Sequence, residues 1–247
     1  MTDAIEELEQ KVKELKEKNE LFPSYLSGLS HDIRTPLNSI IGFADLLKEQ
    51  PVTKAEQRLY SKMVARSSRK LLDLMSNLID LARIETGNLV IYDQRVILAD
   101  LLEELTSEMD EMKGLYDKES IQTVYTISPD VPAEFRSDRN RVYQVVRILQ
   151  ENSLKFTSIG RITLEVGAPT KKTLSFRIID TGCGMSQATI DGLFELFPPA
   201  DVLNGKKIKS RGLSLLVVKK LCELLKGTIK IISEPGKGTA VTVTLPV

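Results

Sequence analysis

The chain has 247 residues, enough for one large domain or two modest ones with separate cores. Lys plus Arg and Asp plus Glu each total 34, so the formal net charge is zero, and aromatic residues make up only 5%. That balance excludes bulk attraction to nucleic acid or to an anionic membrane and leaves few rings for base stacking. No stretch approaches the roughly 18 apolar residues of a membrane span, and the charged start lacks a signal-peptide apolar segment.

Ile5, Leu8, Val12, Leu15, Asn19, Phe22, Leu26, Leu29 and Ile33 follow one another at alternating spacings of three and four. This is a heptad seam flanked by Glu and Lys, and it predicts a coiled coil, with Asn19 in the seam to fix register and strand number. A single amphipathic helix packed on its own domain is the alternative. The count places His31, the only histidine, on the outward face, followed by Asp32, Arg34, Thr35 and Pro36. With one histidine, His-rich metal sites are excluded, and Pro36 should bend the helix one turn beyond it.

The apolar run Leu37, Ile40, Ile41, Ala44 and Leu47 continues the helix to about Gln50. A second helix should start at Thr53, capped reciprocally with Glu56. Leu59, Met63, Leu71, Leu74, Leu78 and Leu81 give it a long apolar stripe, and Gly87 is its stop signal. One such hairpin cannot bury its own seam, so two are expected to form a four-helix bundle as a homodimer.

After Gly87 the texture changes to short strands alternating with helices. Strand-like runs lie at Leu89–Leu98, Ile121–Ile127, Arg161–Val166, Thr173–Ile179, Thr228–Ser233 and Thr239–Leu245; helices are expected near Asp100–Leu115 and Asp138–Lys155. Gly236, Lys237 and Gly238 make the last hairpin turn. The fold class expected is therefore two domains: an all-α hairpin, then an α/β sandwich with a mixed sheet backed by helices. Cys183 and Cys222 are far apart without metal-ligand neighbours, which fits a reduced, cytoplasmic setting.

Three segments carry the chemistry. SHDIRTPLNSIIGFADLL, residues 30–47, resembles the phospho-acceptor motif of sensor histidine kinases. Phosphoryl transfer needs a neutral imidazole nitrogen as nucleophile, and Asp32 is placed to hold the proton on the other ring nitrogen. The resemblance implies that His31 is phosphorylated and that Thr35 orients water for dephosphorylating a partner. DTGCGM, Asp180–Met185, offers two glycines for a tight turn and a carboxylate at a strand end. It resembles the first glycine box of the ATPase domain shared by histidine kinases, DNA gyrase and Hsp90. That implies an adenine contact for Asp180, with Gly182 and Gly184 shaping the pocket.

QVVRILQENSLKFT, residues 144–157, resembles the asparagine box, in which Asn152 would hold magnesium and Lys155 would lie near the phosphates. Asp138, Arg141 and Gln144 fit the helix leading into it. Downstream, LFELF at 193–197 resembles the phenylalanine box, and Pro198–Ser210 a mobile lid. The second glycine box follows with Gly212, and Gly238 and Thr239 also match the pattern. Lys206, Lys207, Lys209 and Arg211 either neutralise phosphate charge or form a solvated basic loop.

Two departures stand out. Ile148 replaces the family's first asparagine in that box and offers no metal ligand. Ser210 and Ser214 replace the outer two glycines of the second glycine box.

The implied organisation is a coiled-coil signalling linker over 1–21, a dimerisation and phosphotransfer domain over 22–87, and a catalytic domain over 88–247. The implied activity is autophosphorylation of His31 from ATP and Mg2+, then transfer to an aspartate on a response-regulator receiver domain. The alternative is a degenerate kinase acting as a dimeric scaffold, or a phosphatase-dominant regulator. The fragment is expected to be cytoplasmic with no membrane contact of its own, its sensor and any anchor lying upstream.

Overall fold

The computed structural model describes residues 27–48, 51–194 and 213–247. The coiled-coil reading over 1–21 lies outside these residues, as do Glu195–Phe197, the lid, Ser210, Arg211 and Gly212. The chain divides into two compact units, and the division falls within a helix, between Met75 and Ser76.

The first unit is a helical hairpin. Helix α1 covers residues 27–48 and runs without interruption through Pro36. Helix α2, Lys54–Glu85, opens with the expected capping box. The Thr53 amide donates to Glu56 Oε2 at 2.8 Å, and the Glu56 amide donates to Thr53 Oγ1 at 3.3 Å. These reciprocal bonds satisfy backbone donors that a helix start otherwise leaves unpaired, and the Thr53 amide and hydroxyl, both donating to Glu56 Oε2, hold its carboxyl below the ordinary pKa. The two helices meet partly through Phe43 and Tyr60, whose rings stack 5.7 Å apart. Several large apolar side chains of this unit face outward: Leu37, Ile41, Leu59, Leu72 and Met75. Gly87 ends the hairpin with φ of +68°, a left-handed stop that an L side chain rarely adopts.

The second unit is the α/β sandwich. Its elements in order are β1 (Gln94–Ile97), α3 (Leu98–Leu115), β2 (Gln122–Ile127), β3 (Glu134–Ser137) and α4 (Arg139–Phe156). Then come β4 (Arg161–Thr170), β5 (Thr173–Asp180), α5 (Gln187–Gly192), α6 (Leu213–Leu224), β6 (Thr228–Glu234) and β7 (Gly238–Pro246). A five-stranded sheet runs β2-β4-β5-β7-β6, and β1 pairs with β3 in a separate two-stranded ribbon. Only β2 and β4 are parallel; the other neighbours are antiparallel, so the sheet is mixed.

Alternation explains the layering. On β4, Ile162, Leu164 and Val166 are buried; on β5 the buried residues are Leu174, Phe176 and Ile178, and on β7 Val241, Val243 and Leu245. Every second side chain therefore points into one core. Helices α4 and α6 cover that face with Val142, Val145, Val146, Leu149, Val217, Val218 and Leu221, all fully or nearly fully buried. Ile148 belongs to the same buried face. The last turns of α2 belong to this unit and are joined to it by polar contacts. Asp80 Oδ2 accepts from Gln144 at 2.6 Å and Asp80 Oδ1 from Arg141 at 3.2 Å. Lys220 pairs with Glu85 at 3.0 Å. No helix among the described residues is long and apolar enough to cross a membrane.

Candidate functional site

Two sets of residues carry chemistry, one in each unit. In the hairpin, the His31 side chain is 78% exposed and its Nδ1 lies 3.3 Å from Asp32 Oδ1. The carboxylate thus occupies one ring nitrogen and leaves Nε2 open to solvent. The Thr35 hydroxyl donates to the His31 carbonyl at 3.0 Å, four residues back, and the Ser39 hydroxyl repeats the pattern on Thr35 at 3.1 Å. Such back-bonding is cheap for a hydroxyl on a helix, and Thr35 is itself exposed.

In the sandwich, the site is assembled where β5 ends, β7 begins and α4 stops. Asp180 closes β5 and is only 6% exposed. Burial raises its carboxyl above the ordinary aspartate range, opposed by the hydrogen bonds it accepts. Gly182 N–H donates to Oδ1 at 2.8 Å and the Ser153 hydroxyl, from α4, donates to Oδ2 at 3.3 Å. A Cβ on Gly182 would lie 2.5 Å from the Phe156 carbonyl oxygen and 2.8 Å from Asp180 Oδ1. Gly184, with φ of +63°, sits against the backbone of Glu234. The loop therefore needs both glycines, one for close approach and one for its left-handed backbone as well.

The loop is gripped from two sides. Cys183 N–H donates to the Phe156 carbonyl at 3.3 Å, and Gly236 N–H of the β6–β7 turn donates to the Cys183 carbonyl at 2.8 Å. Below it, Ser233 Oγ accepts from Met185 N–H at 2.8 Å and lies 2.9 Å from Thr239 Oγ1. Thr239 is paired in register with Asp180, and Gly238, with φ of +94°, presses on the Asp180 backbone.

Asn152 lies on the last full turn of α4, and its Nδ2 is buried without a hydrogen-bond partner. An orphaned buried amide is costly unless something else occupies it. Turning the amide by half a rotation presents oxygen in its place, which is the donor type a hard cation takes. Lys155, one turn further on, is exposed, with its ammonium 5.4 Å from the Phe156 ring centroid. The structure thus brings Asn152, Lys155, Asp180, Gly182, Gly184 and Thr239 to one end of the sandwich.

Two of the replaced residues, Ile148 and Ser214, have local accounts. Ile148 is buried in the core, 5% exposed. The hydroxyl of Ser214, in the first turn of α6, accepts from Asn77 Nδ2 of α2 at 3.3 Å. A glycine could not make that bond. Phe194, of the phenylalanine-box segment, lies under Lys219, whose ammonium is 5.2 Å from its ring centroid.

Asp80 and Lys118 are missed by motif reading. Asp80 sits inside the apolar stripe of α2 and could have been noticed as a charge on an otherwise inward face. Lys118 carries no sequence signal beyond following a helix end.

The described residues thus hold an exposed histidine on a helical hairpin and, in the sandwich, a glycine loop around a buried aspartate. Comparison with known proteins agrees. Residues 24–87 match the His Kinase A (phospho-acceptor) domain. Residues 137–247 match the Histidine kinase-, DNA gyrase B-, and HSP90-like ATPase family. Over 246 residues, all of this chain, it is 31% identical to the sensor histidine kinase RcsC of Escherichia coli, covering 25% of that protein. It is 30% identical to the hybrid signal transduction histidine kinase B of Dictyostelium discoideum over 92% of this chain and 12% of that one.

Among solved structures, the Acinetobacter baumannii histidine kinase AdeS superposes with a TM-score of 0.62 at 19% identity, covering 87% of this chain and 97% of that one. Full-length ShkA in complex with AMPPNP gives 0.62 at 25% identity, covering 91% of this chain and 46% of that one. The chain belongs to the sensor histidine kinases of two-component systems. It spans a quarter or less of the length of these two curated relatives.

Proposed function

We propose that this chain phosphorylates His31 from ATP and passes the phosphoryl group to an aspartate of a response-regulator receiver domain. The observation that carries the reading is the exposed His31–Asp32 pair in a chain that also holds the Asp180 glycine-loop site. Asp32 beside Nδ1 leaves Nε2 as the nucleophile. Its lone pair forms the new P–N bond to the γ-phosphorus as the bond to the β–γ bridging oxygen breaks and ADP leaves.

Asp180 accepts the adenine amino group, and its buried setting strengthens that hydrogen bond. Gly182 and Gly184 let the loop lie against the ring, and Thr239 closes the strand side. Asn152 holds Mg2+ through its amide oxygen, and Lys155, Arg211 and the backbone at Gly212 serve the phosphates. The metal supplies charge neutralisation on the transferring phosphate. Thr35 would exchange its bond to the His31 carbonyl for a water when the partner is dephosphorylated. The AMPPNP complex of ShkA supports nucleotide use by this kind of domain.

The functional division adopted is 22–87 for dimerisation and phosphotransfer and 88–247 for catalysis, preceded by a coiled-coil linker over 1–21. The outward apolar residues of the hairpin favour a homodimer. The curated relatives extend far beyond this span, which leaves room in the same reading for an upstream sensor, membrane-bound or soluble.

The test is incubation with γ-labelled ATP and Mg2+, beside His31→Ala and Asn152→Ala variants. Acid-labile label on the wild type that is lost from both variants is the expected result. A dimeric, folded wild type that takes up no label would sink the kinase reading and favour the scaffold alternative.

A further inference from the structure

The C-terminus of α4 presents an unusual solution to a general problem. The last four carbonyls of a helix have no partners within it. Here Thr157 N–H caps Ser153 O at 3.0 Å. Lys118 Nζ donates to the carbonyls of Leu154, Lys155 and Thr157, the last two at 3.1 and 2.7 Å. The remaining carbonyl, of Phe156, accepts from Cys183 N–H in the glycine loop. One ammonium and one loop amide therefore account for the helix end, and the positive charge complements the negative end of the helix dipole.

Lys118 is delivered there by backbone geometry. Helix α3 ends with Asp117 in the left-handed conformation, φ +55°, and Lys118 N–H donates back to Lys113 O at 2.9 Å. This is the six-to-one closure of a Schellman motif, which fixes the direction of the residue after it. The pinned turn is the one that carries Asn152 and Lys155 and supplies Ser153 to Asp180.

We infer that Lys118 is a positioning residue for the nucleotide site, holding the last turn of α4 so that Asn152, Lys155 and the glycine loop share one geometry. The inference rests on the proposed nucleotide site. The bonds of Lys118 described above go to main-chain carbonyls at the helix end, not to the side chains proposed to bind nucleotide.

The test uses the whole chain with Lys118→Met and Lys118→Arg variants. A distant core variant, Leu245→Ala, serves as a control for general destabilisation. Amide hydrogen exchange without nucleotide and Mg-ATP affinity by calorimetry are both measured under conditions where every variant stays folded. Lys118→Met should speed exchange at Thr157 and Cys183 and weaken Mg-ATP binding by about tenfold or more, the scale of lost charge-assisted hydrogen bonds. Lys118→Arg should restore most of both, while Leu245→Ala should leave affinity within about twofold.

Faster exchange with unchanged affinity in Lys118→Met overturns the role, because the lysine is then merely structural. Equal loss of affinity in the Leu245 control overturns it too. A wild type that binds no nucleotide overturns the kinase reading and this role together. A wild type that binds, with Lys118→Met binding equally well, overturns this role alone.

Discussion

At Asp180, burial and hydrogen bonding pull in opposite directions. Desolvation raises the carboxyl above its ordinary value of 3.8, and the bonds from Gly182 and Ser153 offset part of that. A raised folded-state value means the folded protein holds this proton more tightly than the unfolded chain does. Any stability from that difference is fully present below the unfolded value and is lost as pH rises through the folded one. Burial thus disfavours the charged form of Asp180, a cost that the proposed adenine contact would account for. Asp180→Asn should leave thermal stability at pH 7 unchanged or slightly higher while weakening ATP binding by about tenfold or more. Calorimetric titration beside a melting curve reads both. In the wild type, ATP affinity should fall on acidification before an ordinary aspartate would titrate.

The same physical cause acts on Cys222, buried in α6, whose thiol desolvation pushes up to about 12.

Helix α2 shows what joins elements. Its last turns carry Asn77, Asp80 and Glu85, bonded respectively to Ser214, to Arg141 with Gln144, and to Lys220. Asp80 is only 8% exposed, and removing it leaves Arg141 and Gln144 facing an emptied, partly dry site. Asp80→Ala should cost about 2 kcal/mol of unfolding free energy in urea titration, with Asp80→Asn costing less because Gln144 keeps a partner.

These contacts also mark the limit of sequence reading. Strands β4, β5 and β7 were legible because alternation is local, and the Thr53 capping box because its two members are three residues apart. Strand β3 was missed: four residues, Glu134–Ser137, hold too little pattern, and what makes them a strand is pairing with β1 some 40 positions earlier. The short helix α5 was missed likewise. The glycine loop announced itself because backbone demands select residue types within six positions. Asp80 and Arg141 lie 61 residues apart, and Lys118 and Leu154 lie 36 apart, so no local spacing could join them. Ser214 and Asn77 lie 137 residues apart, so the sequence shows only a missing glycine where the fold makes a hydrogen bond.

For the molecule as a whole, the hairpin leaves apolar side chains uncovered: Ile41 is 51% exposed and Leu72 61%. In water that surface favours self-association. Ile41→Glu combined with Leu72→Glu should weaken the proposed homodimer by about a hundredfold at least, given roughly 1.5 kcal/mol per buried aliphatic side chain and two copies of each. Sedimentation velocity across a concentration series would reveal the shift to monomer. A variant that stays dimeric at every concentration would exclude this face from the interface.

The order of strands bears on how the chain comes into being. Strand β7 is not at an edge of the sheet; it lies between β5 and β6 and bonds to both. A nascent chain on the ribosome therefore cannot complete the sheet until Gly238–Pro246 has left the exit tunnel. Until then β5 exposes an unpaired edge, the kind that recruits strands from other chains. A truncation before Gly238 therefore removes an interior strand of the sheet and not its fringe.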